Sequence, residues 1–181
     1  MMNFRTTAMV GLRRVSNCAA GALVALFFAG GTAAAQDWME YAYPDLAFSV
    51  AFPAEPRVEI TTYQVADGRS FEARIYSVTR DTGVFKMTVV ELLDAGMDEN
   101  ALISHAVKTV TQGSEIKLDI QHRIRRVYGR QLSIAGADGS HSYVAAFLHK
   151  NRLYLIEGKA FVAGGYAEVD AMIFHQSLDL T

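Results

Sequence analysis

From residue 46 onward, apolar and polar positions alternate with a period of two over most of the chain. Leu46, Phe48, Val50 and Phe52 alternate with Ala47, Ser49 and Ala51, the pattern of a strand with one apolar face. Pro44-Asp45 predicts a turn from a short strand over 38–43. Pro53 and Pro56 end the run, since proline cannot donate to a ladder. Strands are predicted over 58–65 and 71–79 around the hairpin signal Asp67-Gly68, and over 85–92 after the turn at Asp81-Thr82-Gly83. At Asp98 the period changes: Ile103, Ala106, Val107 and Val110 fall at helical spacing, with Asp98 as N-cap and Gly113 as terminator. Strands resume over 116–124, 127–134, 141–149 and 152–161, with turns at Asp138-Gly139 and Lys150-Asn151. A second helix is predicted over 166–177, its apolar stripe made of Tyr166, Val169, Ile173, Ala167, Ala171, Phe174 and Leu178.

The last hairpin says most about architecture. Tyr143, Ala145, Phe147, Tyr154 and Ile156 share one face; Val144, Ala146, Leu148, Leu153 and Leu155 share the other. An antiparallel sheet wetted on one side shows polar residues on that side. Here both faces are apolar, so both must be covered. The expectation is an α+β domain: a mostly antiparallel β-sheet flanked by helices, with these two strands at its centre.

Composition agrees with one folded domain in 181 residues, 51% hydrophobic and 20% charged. The first 35 residues differ from the rest. They carry Arg5, Arg13 and Arg14 and no acid, then an apolar run over 19–29, then Gly30-Gly31-Thr32-Ala33-Ala34-Ala35. Those are the three parts of a secretory signal peptide, and the apolar run is shorter than the roughly 20 residues that span a bilayer. Residues 1–35 are therefore expected to be a Sec-type leader cleaved after Ala35, leaving a single α+β domain over 36–181 that is periplasmic or secreted. A retained N-terminal anchor is the alternative. Without the leader's three arginines, 14 of the 17 basic residues face 19 acidic ones, a net charge of −5. Such a balance disfavours nucleic acid. The single cysteine, Cys18, leaves with the leader, which excludes disulfides, thiolate nucleophiles and cysteine-zinc sites from the domain.

Several short segments resemble the PsbP-like family. Phe48-Ser49-Val50-Ala51-Phe52-Pro53 looks like its opening strand, and Gly129-Arg130-Gln131-Leu132, Asn151-Arg152-Leu153-Tyr154 and Phe174-x-x-Ser177-Leu178 are similar to its later landmarks. The order of elements is similar too, over residues 38–180, and an exported bacterial member would fit the leader. The resemblance implies a PsbP-like α/β/α sandwich. It also implies kinship with proteins that mainly bind other proteins, among them a photosystem II extrinsic subunit and a Ran-binding transport factor. It carries over no catalytic motif.

Chemistry is sparse along the sequence. His105, His122, His141, His149 and His175 show no metal-ligand spacing, and His141 and His149 lie roughly 26 Å apart along one strand. Asp138-Gly139-Ser140-His141 places hydrolytic residue types together, but neighbours in a hairpin do not converge as a triad, and turn chemistry explains them. Gly164-Gly165 lacks a phosphate-binding pattern. Asp98-Glu99 and Glu168-x-Asp170 sit in first helical turns, where the helix dipole favours acids. Glu157 and Lys159 interrupt an apolar strand and are expected to pair with neighbours or end the sheet. The one charge anomaly is Arg123, Arg125, Arg126 and Arg130, with no acid between Asp119 and Asp138. Strand parity places Arg123 and Arg125 on one face, Arg126 and Arg130 on the other. The cluster is either a charged strand end or a site for an anionic partner.

The sequence thus predicts a noncatalytic exported accessory domain that binds a protein or another envelope component, without cofactor or metal. Its candidate partner-binding residues are Arg123, Arg125, Arg126 and Arg130. A carrier of a small apolar ligand, held between sheet and helix, is the alternative. An enzyme is not expected, because no nucleophile–base pair can be assembled from spacing.

Overall fold

The computed structural model describes residues 38–92 and 96–181. The expected leader, its cleavage point and Cys18 lie outside them.

Strand β1 (Met39–Tyr43) leads through a 3-10 turn (Pro44–Leu46) into β2 (Phe48–Phe52). Then come β3 (Arg57–Gln64), β4 (Ser70–Arg80), β5 (Gly83–Glu91), helix α1 (Glu99–Val110), β6 (Ser114–Ile124), β7 (Val127–Gly136), β8 (His141–His149), β9 (Arg152–Ala160), helix α2 (Gly165–Gln176) and β10 (Asp179–Leu180). Seven strands form one antiparallel sheet in the order β3-β4-β5-β9-β8-β7-β6, with β9 in the middle and β8 beside it. β1, β2 and β10 make a separate small sheet.

Both faces of the large sheet are covered. On one, Phe85, Met87, Ala145, Phe147, Tyr154 and Ile156 pack against Phe48, Val50 and Phe52 of β2 and Phe174 of α2. On the other, Val90, Ala146, Leu153 and Leu155 pack against Leu102 and Ala106 of α1, while Leu132, Ile134 and Val144 meet Val107. These are called the α2 face and the α1 face. The Tyr154 hydroxyl donates to the Leu46 carbonyl at 2.8 Å, joining the large sheet to the turn before β2. Gly158 is obligatory for the approach of α2: a Cβ there would lie 2.2 Å from the Ala171 carbonyl oxygen.

Local chemistry sets the ends of the elements. The Asp98 side chain accepts from the Asn100 N–H at 2.8 Å and caps α1, and Gly113, at φ 77°, turns the chain into β6. Lys150 and Asn151 both adopt positive φ in the β8–β9 turn.

Two sequence expectations are corrected, and one element is added. The two-residue strand β10, too short to show a period, pairs with Phe48 and Ser49 and closes the small sheet. The stripe of α2 is narrower than its sequence suggests: Tyr166, Val169 and Ile173 are exposed, at 91%, 45% and 41%, whereas Ala171, Phe174 and His175 are buried. Finally, Arg125 and Arg126 form the β6–β7 turn, Arg125 at φ 52°, so they are not part of a strand. Arg123 and Arg130 therefore share the α1 face, opposite Tyr128 and Gln121 respectively, contrary to the parity count.

Candidate functional site

The β6–β7 hairpin and its neighbours carry polar chemistry on both faces of the sheet. On the α2 face, Ser133 of β7 lies between Leu118 of β6 and Tyr143 of β8. His141 is on the same face of β8, two residues from Tyr143, so it stands diagonal to Ser133. From above, the first turn of α2 lowers Glu168 onto this patch.

The result is a continuous hydrogen-bonded chain. Ser133 Oγ is 2.7 Å from His141 Nε2, and His141 Nδ1 is 2.7 Å from Glu168 Oε1. The Tyr143 hydroxyl donates to the same Oε1 at 2.7 Å, and the Gly164 N–H donates to Oε2 at 2.5 Å. A carboxylate facing Nδ1 selects the tautomer protonated there, which leaves Nε2 to accept from the serine hydroxyl. Tyr143 supports this: burial, and then the neighbouring Glu168, push its hydroxyl up to about 12, so it remains a donor. In return, the Tyr143 hydrogen bond is the main cause holding Glu168 below the usual carboxylate range. His141 also stacks on the Tyr143 ring at 4.9 Å between centroids.

Sequence spacing did not suggest this grouping. Asp138 behaves as expected of a turn: its Oδ1 accepts from both the N–H and the hydroxyl of Ser140, at 3.1 and 2.5 Å, which holds its carboxyl at about 2. His141 instead turns to a serine on the adjacent strand and an acid on the following helix. Glu168 does serve the start of α2, through Gly164, but it also anchors the histidine. A serine and a histidine on adjacent strands, followed by an acid just after a Gly-Gly turn, were the available signals.

Beside this chain lies a pair of histidines. His175, in the last turn of α2, is buried, and its ring is 6.4 Å from that of His122 on β6. Neither ring nitrogen has a hydrogen-bond partner among the described residues; the Val144 backbone is near but outside hydrogen-bond geometry. Burial, with His122 adding to it, pushes His175 down to about 4. Among the described residues, no group of three or more histidine, aspartate, glutamate or cysteine side chains is placed to hold a metal ion.

The α1 face of the same hairpin is different. Here a groove of about 450 Å³ runs between α1 and the hairpin, lined among others by Asn100, Ile103, Ser104, Tyr128 and Arg130. Tyr128 is 68% exposed, and the Arg123 guanidinium lies over its ring, 5.9 Å from the centroid. Arg130 forks onto Asp119, and Arg125 pairs with Asp179 of β10 at 2.5 and 2.8 Å. Two of the four clustered arginines are thus matched by carboxylates 11 and 54 residues away in sequence. Arg123 and Arg126 remain exposed at the hairpin tip. Glu157 pairs with Lys86, and Lys159 with Asp138.

No protein-family model matches the chain, and no curated protein matches it. Among solved structures, the solution structure of cyanobacterial PsbP (CyanoP) from Synechocystis sp. PCC 6803 is similar, with a TM-score of 0.52 at 10% identity. The similarity covers 83% of this chain and 96% of that one. With its helix-flanked antiparallel sheet, the chain has the PsbP-like fold.

Proposed function

We propose that the chain is an exported accessory domain that binds a protein of the cell envelope through the groove between α1 and the β6–β7 hairpin. The observation that carries this reading is Tyr128, a large aromatic residue exposed at the mouth of a groove with Arg123 stacked on it. Tyrosine and arginine dominate the energetics of protein interfaces, and a stacked guanidinium keeps its outward N–H groups for a partner carboxylate. The partner that fits is a protein segment with an apolar side chain for the Ile103 and Tyr128 walls and a carboxylate for Arg123. The PsbP-like fold and the signal-like residues 1–35 support the same reading. The carrier alternative calls for an enclosed apolar cavity. The groove beside the first turn of α1 is instead open to solvent and mixed in character, with Leu92, Met97 and Leu148 alongside Glu99, His149, Lys150 and Asn151.

The test is cross-linked capture from envelope extracts with wild type, Tyr128→Ala and Arg123→Glu. A partner retained by wild type, lost by both folded variants and released by added salt supports the proposal. Equal recovery by all three overturns it.

A further inference from the structure

The Ser133–His141–Glu168 chain has the order and distances of a nucleophile, its base and the acid that orients the base. We infer that it is a hydrolytic site for short-chain carboxylic esters, on the opposite face of the sheet from the proposed partner groove. The residues come from three separate elements: strands β7 and β8, whose register is set by the central sheet, and helix α2, held against β9 at Gly158. Rigid elements of this kind hold a catalytic geometry better than loops do.

Access comes from the edge of the sheet. Ser133 is 8% exposed, and the side chains of His141 and Glu168 are 18% and 24% exposed. Beside Ser133 on the same face, the edge strand presents Leu118 and Ile120, exposed at 42% and 44%. With Ser133 so little exposed and an apolar rim beside it, the site suits a small acyl group rather than a long chain. Gln131 occupies the same face one pleat from Ser133, opposite Ile120 and Ala145, half-buried and without a hydrogen-bond partner among the described residues. Its side-chain amide is the donor assigned to the ester carbonyl oxygen as negative charge develops there.

The chemistry balances without a further reagent. The Ser133 hydroxyl gives its proton to His141 Nε2 while Oγ bonds to the ester carbonyl carbon. The ester C–O bond breaks, and the alcohol leaves with the proton from His141. Water, deprotonated by the same nitrogen, then cleaves the acyl-serine to carboxylic acid and free Ser133. Glu168 stays ionised and orients the ring; Tyr143 and the Gly164 N–H hold the carboxylate in place.

The full chain is tested with a fluorophosphonate probe and with p-nitrophenyl acetate. A single adduct mapped to Ser133 by mass spectrometry is expected, together with ester turnover that Ser133→Ala reduces to the buffer rate. Glu168→Gln should slow turnover on the order of 100-fold or more, as loss of the orienting acid does in such groups. Melting curves establish that each variant is folded. No adduct at Ser133 on the folded wild-type chain, or equal turnover by wild type and Ser133→Ala, overturns the inference. Partner capture through Tyr128 and Arg123 is read separately on each variant, so failure here leaves the α1-face reading to its own test.

Discussion

The two hairpins of the C-terminal meander make an instructive pair. β8–β9 lies at the middle of the sheet, and apart from His141 and Tyr143 at its open end its side chains largely pack on both faces: Phe147 and Tyr154 under β2, Leu153 and Leu155 under α1. β6–β7 lies at the edge, and its inner strand alone carries much packing. Its outer strand and tip offer Leu118, Ile120, Arg123 and Tyr128 to solvent, while Ser133 meets His141 beneath α2. The same secondary structure, two strands apart, changes from core to chemistry. What differs is the outer strand: β6 has one neighbour, where β7, β8 and β9 each have two.

The sharpest way to break this contrast is to truncate the central hairpin. Phe147→Ala should cost about 3–5 kcal/mol and Leu153→Ala about 2–5 kcal/mol, since each leaves a cavity on a covered face. Urea titration reads both values. A cost under about 1 kcal/mol at either position would make that face solvated and dissolve the distinction.

Acid acts where the two hairpins meet, at His175. Its folded pKa, about 4, lies below the ordinary 6.5, so above pH 6.5 the group is neutral in both states and contributes no pH dependence. As pH falls from 6.5 towards 4, the unfolded chain takes up the proton first and the fold loses stability, by about 3 kcal/mol in total at the limit. His175→Phe should remove that share of the acid slope. Identical slopes for wild type and variant in pH-dependent melting would show that His175 is not desolvated.

Tyr143→Phe probes the network on its own. It removes one hydrogen bond to an ionised carboxylate, a change of about 1.5–3 kcal/mol. It should also raise the Glu168 titration towards the ordinary carboxylate value, because the Tyr143 hydroxyl is the main cause of its lowering. The stability that Glu168 contributes is present at neutral pH and lost as pH falls through its folded value, and this loss should shrink in the variant. Carboxyl NMR titration checks the direction; an unmoved Glu168 would mean that the hydroxyl does not hold it.

Tyr128→Ala is the mildest change. Its exposed ring should cost no more than about 0.5 kcal/mol of stability. A loss comparable to Phe147→Ala would place Tyr128 in the core and end its candidacy as an interface residue.

The legibility of the sequence follows the same division. The near-continuous apolar runs of β8 and β9 are legible because both of their faces are covered, and the helices are legible because their period and, for α1, the Asp98 cap are local. β10 carries no such signal, since two residues have no period. The arginine cluster is visible as a run of like charges, but the pairing of Arg130 with Asp119 and of Arg125 with Asp179 depends on folding that brings those carboxylates back. The Ser133–His141–Glu168 chain is hidden for the same reason. Its serine looks like any small strand residue, and its acid looks like a helix-dipole partner. Sequence spacing finds chemistry within one element; this group spans three.

The strand order has a kinetic consequence. β3-β4-β5 and β6-β7-β8-β9 are each successive neighbours in the chain, so each block can zip through short loops. The seam between them, β5 on β9, joins residues 61 to 77 positions apart, from Glu91 on Arg152 to Gly83 on Ala160. Closing so long a loop is entropically unfavourable until the seam's contacts reward it. Refolding is therefore expected to wait on docking of two preformed blocks. Substitutions along β5 would then slow refolding, while those at the β6–β7 edge would mainly hasten unfolding.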